Sequence, residues 1–171
     1  MDRGARHQRG GLDPWHARRA AIAIADGHVA IDWRDRLPKR PASDLLQAGP
    51  LLVREGASAI AGEDDPEGFS TTSEEFDEDI TANREPRLAL GLTAETLLVV
   101  AADGRAPEDA GLTLWDFADL LVDMGADAAL NLDAGSAGVV ISGGRRVNTP
   151  RLDEGEDMEP SSPAVSAIVL G

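Results

Sequence analysis

"TLWDFADLLVDMGADAALNLDAGSAG", residues 113–138, changes its apolar spacing halfway along, and that change decides the fold. In the first half Leu114, Phe117, Ala118 and Leu121 recur at i, i+3, i+4 and i+7, while Asp116, Asp119 and Asp123 fall on the other side, the pattern of an amphipathic helix. Thr113 is placed to cap its N-terminus, with Asp116 three residues later standing where a capping box has Glu, and Gly125 fits the position just past the C-terminus. In the second half "DAALNLD" is a short strand that ends on a carboxylate and a glycine-rich turn, and "GVVIS" follows as another strand.

Outward from this block the chain alternates short β signals with turns. "PRLALGLTAETLLVVAADGR", residues 86–105, is a hairpin of two apolar runs around Thr93-Ala94-Glu95. Residues 20–32, "AAIAIADGHVAID", form another around Asp26-Gly27, because both residues tolerate positive φ. A polar, Pro-containing linker leads to a strand at Leu51 to Arg54, entered through Gly49-Pro50. On the C-terminal side "GG" is a turn, "RRVN" a strand, "RLDEGEDMEPSSP" an acidic loop and "AVSAIVLG" a final strand. Residues 63–79, "EDDPEGFSTTSEEFDED", are so rich in carboxylates that a solvated surface loop is expected, one whose removal leaves the fold intact. Its spacing lacks the alternating oxygen ligands and central Gly of a calcium loop. One helix among many short strands predicts an α+β class with a mixed, largely antiparallel sheet and few helices.

Composition narrows the function. With 171 residues and 42% hydrophobic side chains the chain can build one domain with a core of its own, so residues 1–171 read as a single unit. The 16 Lys and Arg against 31 Asp and Glu leave a net charge of −15, which repels phosphate backbones and anionic lipid heads, so nucleic acid is excluded as a partner. There is no cysteine, which excludes thiolate catalysis, disulfides and Cys-ligated zinc. The three histidines lack any metal-ligand spacing, so neither a metal nor another cofactor is expected. No apolar stretch is long enough to span a bilayer. The basic, irregular start, residues 1–19, lacks the small-residue cleavage site of a signal peptide. A cytoplasmic protein is the expectation for the chain as it stands, and a secreted or cell-envelope one if its N-terminus is truncated. The oligomeric state is not legible.

The turn at residues 131–138 poses a choice between Ser136 as nucleophile and Asp133 as the working group. A serine nucleophile elbow needs a helix after the serine, and an α/β-hydrolase places its histidine later in the chain. Here a strand follows, and His7, His16 and His28 all lie upstream. Asp133, by contrast, ends an apolar strand beside Gly135 and Gly138, whose missing side chains leave room for a ligand.

"NLDAGSAG" resembles the N-L-D-G-G-G-S-S signature of the phosphodiester glycosidase family, and further motifs resemble that family's in the same order. These are "QAGPLLVREG", "PRLALGL", "AADGR", "GLTLWDFADLLVDMGADAALNLD" and "RRVNTP", so the resemblance runs over roughly residues 20–171. The chain departs from the pattern by having Ala134 in place of a signature glycine and by lacking the family's upstream N-G-G-F-F segment, as though incomplete at its N-terminus.

The resemblance implies a hydrolase acting on sugar-phosphate diesters or related polysaccharides, in exopolysaccharide or cell-envelope metabolism as in the family's bacterial members. Such a reaction needs forked cationic donors for the phosphate and a carboxylate that assists water or stabilises positive charge at the anomeric carbon. Asp133 and Asp103 are the candidate catalytic carboxylates. Arg87 and Arg105 are the candidate phosphate ligands, Asn131 shares a strand face with Asp133 and is placed for a sugar hydroxyl, and Gly135, Ser136 and Asn148 complete the binding set. The "ALNLD" strand and the "ADGR" turn are expected to meet at one pocket. Each residue also has a plainer reading: Asp103 as a turn former, Arg87 as an edge-strand charge, Asn148 as a turn residue and Trp115 as core. A second function class is a non-catalytic domain that keeps the fold and binds carbohydrate or protein.

Overall fold

A computed structural model describes residues 19–37, 44–60, 67, 69, 81–135, 138–152 and 167–170. The elements in chain order are β1 (Ala20–Ala25), β2 (His28–Trp33), β3 (Asp44–Gln47), β4 (Leu51–Arg54), β5 (Ala57–Ser58), β6 (Arg87–Leu92), β7 (Leu97–Ala102), α1 (Leu114–Asp123), β8 (Ala128–Leu132), β9 (Ile141–Ser142) and β10 (Arg145–Arg146). They form a five-stranded sheet in the order β5-β4-β8-β6-β7, a three-stranded sheet β2-β1-β3 and a small β9-β10 ribbon. Every strand pairing recorded among the described residues is antiparallel. The α+β class follows.

Asp26 and Gly27 both take positive φ, 51° and 75°, so the β1-β2 turn twists with its strands as an Asp-Gly hairpin should. Helix α1 starts where the sequence predicts: the Thr113 hydroxyl accepts from the Asp116 N–H at 3.0 Å. The Asp116 side chain pairs instead with Arg84 at 3.0 Å. At the other end Gly125 donates to Val122 O at 2.8 Å and Ala126 to Leu121 O at 3.0 Å, the paired closure of a Schellman turn.

The five-stranded sheet is covered on both faces. On one, Leu114, Phe117, Ala118 and Leu121 of α1 pack against Leu52, Val53, Ala89 and Ala129. On the other, Ala20, Ile22 and Ile31 of the three-stranded sheet meet Leu51, Leu90 and Leu130. Full burial of a Leu or Phe side chain stabilises a fold by about 1.5–3 kcal/mol, so these two apolar layers hold the molecule together. A register shift between Leu51 and Val53 lets β4 serve both layers.

Several expectations are corrected. The linker before β4 contains a strand, β3, whose Leu45 and Leu46 pair with Ala23 and Ile22. The "GVVIS" strand shrinks to Ile141–Ser142 and "RRVN" to Arg145–Arg146. Asn148 explains the first: its Oδ1 accepts from Val140 N–H and its Nδ2 donates to Gly138 O, at 2.8 and 2.7 Å, in place of a strand partner. Residues 167–170 of the expected final strand carry no strand pairing, and residues 164–166 lie outside the described residues. Trp115 is not core: it is 41% exposed, with its indole N–H on Ile60 O at 3.0 Å. In the acidic stretch 63–79, most of which lies outside the described residues, Glu67 and Phe69 are buried, so a wholly solvated excursion is wrong at these two positions.

Candidate functional site

The register of the central strands brings the candidate residues together. Leu88 of β6 pairs with Leu132 of β8 and Ala89 with Asn131, so one further step sets Arg87 across from Asp133. Alternation along each strand puts Arg87, Ala89, Asn131 and Asp133 on one face. Arg87 also pairs with Ala102, the last residue of β7, which places the Asp103-Gly104-Arg105 turn at the same end of the sheet as Asp133.

A cavity of about 580 Å³ opens there. Its walls include Arg87, Arg105, Asn131, Asp133 and Gly135 of the expected set, together with Arg19, Gln47, Gly49, Phe69 and Glu85. Ser136 lies outside the described residues. Asp103 and Asn148 are not among the lining residues: one Asp103 oxygen accepts from Thr149 N–H at 2.8 Å, and both ends of the Asn148 amide serve the backbone at 138 and 140. The two strand ends therefore meet at one edge, but it is Arg105 rather than Asp103 that reaches the cavity.

Arg87 is 5% exposed, and its Nε donates to Leu112 O at 2.8 Å and its Nη2 to Asn83 O at 2.6 Å. Burial pushes its pKa down to about 10; Glu85 opposes that shift and Arg105 adds to it. The guanidinium remains a cation at neutral pH, and its place in β6, between β8 and β7, removes the edge-strand reading. Arg105 has left-handed backbone, φ 61°, which is uncommon outside glycine and recurs at binding sites. Its Nε donates to Glu85 Oε2 at 2.8 Å and its Nη1 to Arg151 O at 3.2 Å. Glu85 is fixed in turn by a backbone bridge to Leu112.

Glycine keeps these parts close. A Cβ at Gly135 would lie 2.6 Å from Arg105 Nη1, and one at Gly104 would lie 2.8 Å from the Pro86 nitrogen. Asn131 is 8% exposed; its Nδ2 donates to Gly49 O at 3.2 Å, and its Oδ1 is buried without a hydrogen-bond partner. Asp133 is exposed at the mouth. Among the described lining residues, three arginines (Arg19, Arg87, Arg105) outnumber two carboxylates (Glu85, Asp133), in a chain of net charge −15. The described lining is thus locally cationic in an acidic molecule. No group of three His, Cys, Asp or Glu suited to a metal occurs among the described residues. Nor is any helix there long and apolar enough to cross a membrane.

Sequence reasoning missed Glu85, Arg19, Glu67 and Phe69. Glu85 stands two residues before Arg87 in "REPR", a spacing that signals a shared strand side, whereas the other three carry no local signal.

Comparison with known proteins places the chain in a family. The sequence model of the family described as Phosphodiester glycosidase matches residues 2–169. The catalytic domain of zebrafish N-acetylglucosamine-1-phosphodiester alpha-N-acetylglucosaminidase, in a form auto-inhibited by its pro-peptide, superposes with a TM-score of 0.59 at 22% identity. That match covers 84% of this chain and 47% of the zebrafish one, a likeness of fold. A crystal structure of a Burkholderia pseudomallei protein matches with a TM-score of 0.55 at 30% identity, over 66% of this chain and 24% of that one. The chain thus spans less than half the length of either. No curated protein matches it. With the motif order, the antiparallel core and a family match over nearly its whole length in agreement, the chain belongs to the phosphodiester glycosidase family.

Proposed function

We propose that this chain hydrolyses glycosyl phosphodiesters at the bond between the anomeric carbon and a phosphate oxygen. The observation that supports this reading is the convergence of Arg87, Arg105, Asn131 and Asp133 on one cationic cavity. Arg87 and Arg105 hold the phosphate, whose charge grows as the bond breaks. Water adds to the anomeric carbon, the electron pair of the broken bond leaves with the phosphate oxygen, and the products are a free sugar and a phosphate monoester. A monoester is already a good leaving group, so one carboxylate suffices: Asp133 takes the proton of the attacking water or stabilises the oxocarbenium-like carbon. Asp103 holds the 149 backbone, two residues before the Arg151 carbonyl that accepts from Arg105 Nη1. Substrates of exopolysaccharide or cell-envelope type are the class we assign.

Hydrolysis of a panel of sugar-phosphate diesters, followed by reducing-sugar release, tests the proposal. Turnover that disappears in Asp133→Asn supports it. Binding of the diesters without turnover of any would favour a carbohydrate-binding domain that keeps the fold.

A further inference from the structure

Glu67 stands in a stretch whose composition predicts a solvated loop, yet it is 2% exposed and both its oxygens are engaged. Oε1 accepts from the Leu51 N–H at 2.7 Å and from the Trp33 indole N–H at 2.9 Å, while Oε2 accepts from the Ala20 N–H at 2.9 Å. One carboxylate therefore ties the start of β1, the end of β2 and the start of β4. A buried carboxylate is costly unless such donors surround it, so these three bonds fix where Glu67 can sit.

The tie reaches the cavity through Gly49. Its carbonyl accepts from Asn131 Nδ2, and a Cβ at position 49 would come within 2.6 Å of Glu67 Oε2 and 3.1 Å of the Phe69 ring. Phe69 itself lines the cavity, with the Arg19 guanidinium 4.5 Å from its ring centroid.

We propose that Glu67 is a positioning residue for the candidate site. By fixing the Leu51 backbone just after Gly49-Pro50, and Ala20, whose carbonyl holds Ala48 N–H just before it, Glu67 sets the carbonyl that orients the Asn131 amide, and it packs with Phe69 against Gly49. The inference rests on the reading of this cavity as the glycosyl phosphodiester site. Loss of the tie misplaces a binding group rather than the carboxylate at the end of β8, so substrate binding weakens more than turnover.

Glu67→Gln tests this, because it keeps the side chain's size but turns an NH2 toward an N–H donor. Three readouts are taken: kcat and KM on a hydrolysed diester, the side-chain amide resonance of Asn131 by NMR, and Tm. Leu121→Ala, a cut in the core beneath α1, serves as the control for general destabilisation. The expected result is a rise of about tenfold in KM with kcat within about threefold, the effect of one misplaced hydrogen bond, together with a shifted Asn131 resonance. Leu121→Ala should lower Tm and leave both readouts in place. The proposal is overturned if Glu67→Gln leaves KM and the Asn131 resonance at their wild-type values, or if Leu121→Ala moves them equally. Should no diester be turned over, the Asn131 resonance decides alone: a shift in Glu67→Gln upholds the positioning role while the hydrolase reading fails, and no shift ends it. If Glu67→Gln does not fold, Gly49→Ala presses on the same contact from the other side, and an unmoved Asn131 resonance there equally refutes it.

Discussion

Gly135→Ala isolates the contribution of Arg105 to the site without substituting any charged residue. Gly135 has φ 64°, so any alanine there is strained, and its Cβ would lie 2.6 Å from Arg105 Nη1 and 3.3 Å from Cζ. The backbone term is about 1–2 kcal/mol, and for a chain of this size each kcal/mol lowers Tm by roughly 2–4 °C. Gly27, with φ 75° and nothing within 4 Å of an added Cβ, supplies the control that carries the backbone term alone. The difference between the two variants is the displacement of Arg105, which is held at Glu85 and at Arg151 O. Losing one charge-assisted hydrogen bond costs about 1.5–3 kcal/mol, equivalent to roughly 10- to 150-fold in kcat/KM. The assay is initial-rate hydrolysis of a sugar-phosphate diester, with thermal melts of both variants. Both should melt a few degrees low, and only Gly135→Ala should lose activity. Equal kcat/KM in Gly135→Ala and Gly27→Ala would refute a role for Arg105 in holding the phosphate.

Asp133→Asn should lower kcat by about a hundredfold or more, close to 3 kcal/mol, with KM little changed, since the carboxylate acts on charge that grows only toward the transition state; steady-state kinetics would show this, and an undiminished kcat would remove Asp133 from the mechanism. Arg87→Ala should weaken both binding and stability, the latter by roughly 1–3 kcal/mol through loss of its charge-assisted bonds, since Leu112 O keeps the Glu85 N–H and Asn83 is exposed; denaturant melts check it. Thr113→Ala should cost about 1 kcal/mol through loss of the helix cap, with kinetics unaffected. Glu67 gives a pH signature. Burial raises its pKa, against the opposing pull of the Leu51, Ala20 and Trp33 donors and of Arg19. A carboxyl raised in the fold binds its proton more tightly there than in the unfolded chain. Its contribution is therefore fully present below the ordinary value of 4.5 and is lost as pH climbs through the raised one. Melts from acid to neutral pH should show wild type losing stability relative to Glu67→Gln over that window, and a parallel pair of curves would contradict the raised value.

How much the sequence reveals depends on the range of the force responsible. The helix cap at Thr113, its Schellman closure and the Asp26-Gly27 hairpin were legible because each is settled within a few residues by hydrogen bonds and φ preferences. Arg87, Arg105, Asn131 and Asp133 were legible as a set through the family motifs, and strand register then explains why they converge. What could not be read lies across the layers. Glu67 sits 47 residues from Ala20 in the chain, and composition describes its neighbours, not its partners. Strand β3 has only four residues, and what makes it a strand is the open edge of β1. Trp115, at the start of α1, points away from the core face, and only the position of Ile60 in space gives its indole a partner.

The irregularity in β4 has a consequence for how the molecule comes apart. Because Leu51 belongs to one apolar layer while Leu52 and Val53 belong to the other, neither layer can open without withdrawing a neighbouring residue from its counterpart. Such a strand couples the two halves into one cooperative unit, so partial opening has few routes and amide exchange in β1 and in β8 should report the same free energy. The cavity draws Arg19 and Gln47 from one half and Arg87 and Asn131 from the other, so the population of molecules able to bind equals the population fully folded. A destabilised variant would then lose activity by losing competent molecules, each survivor working at the full rate.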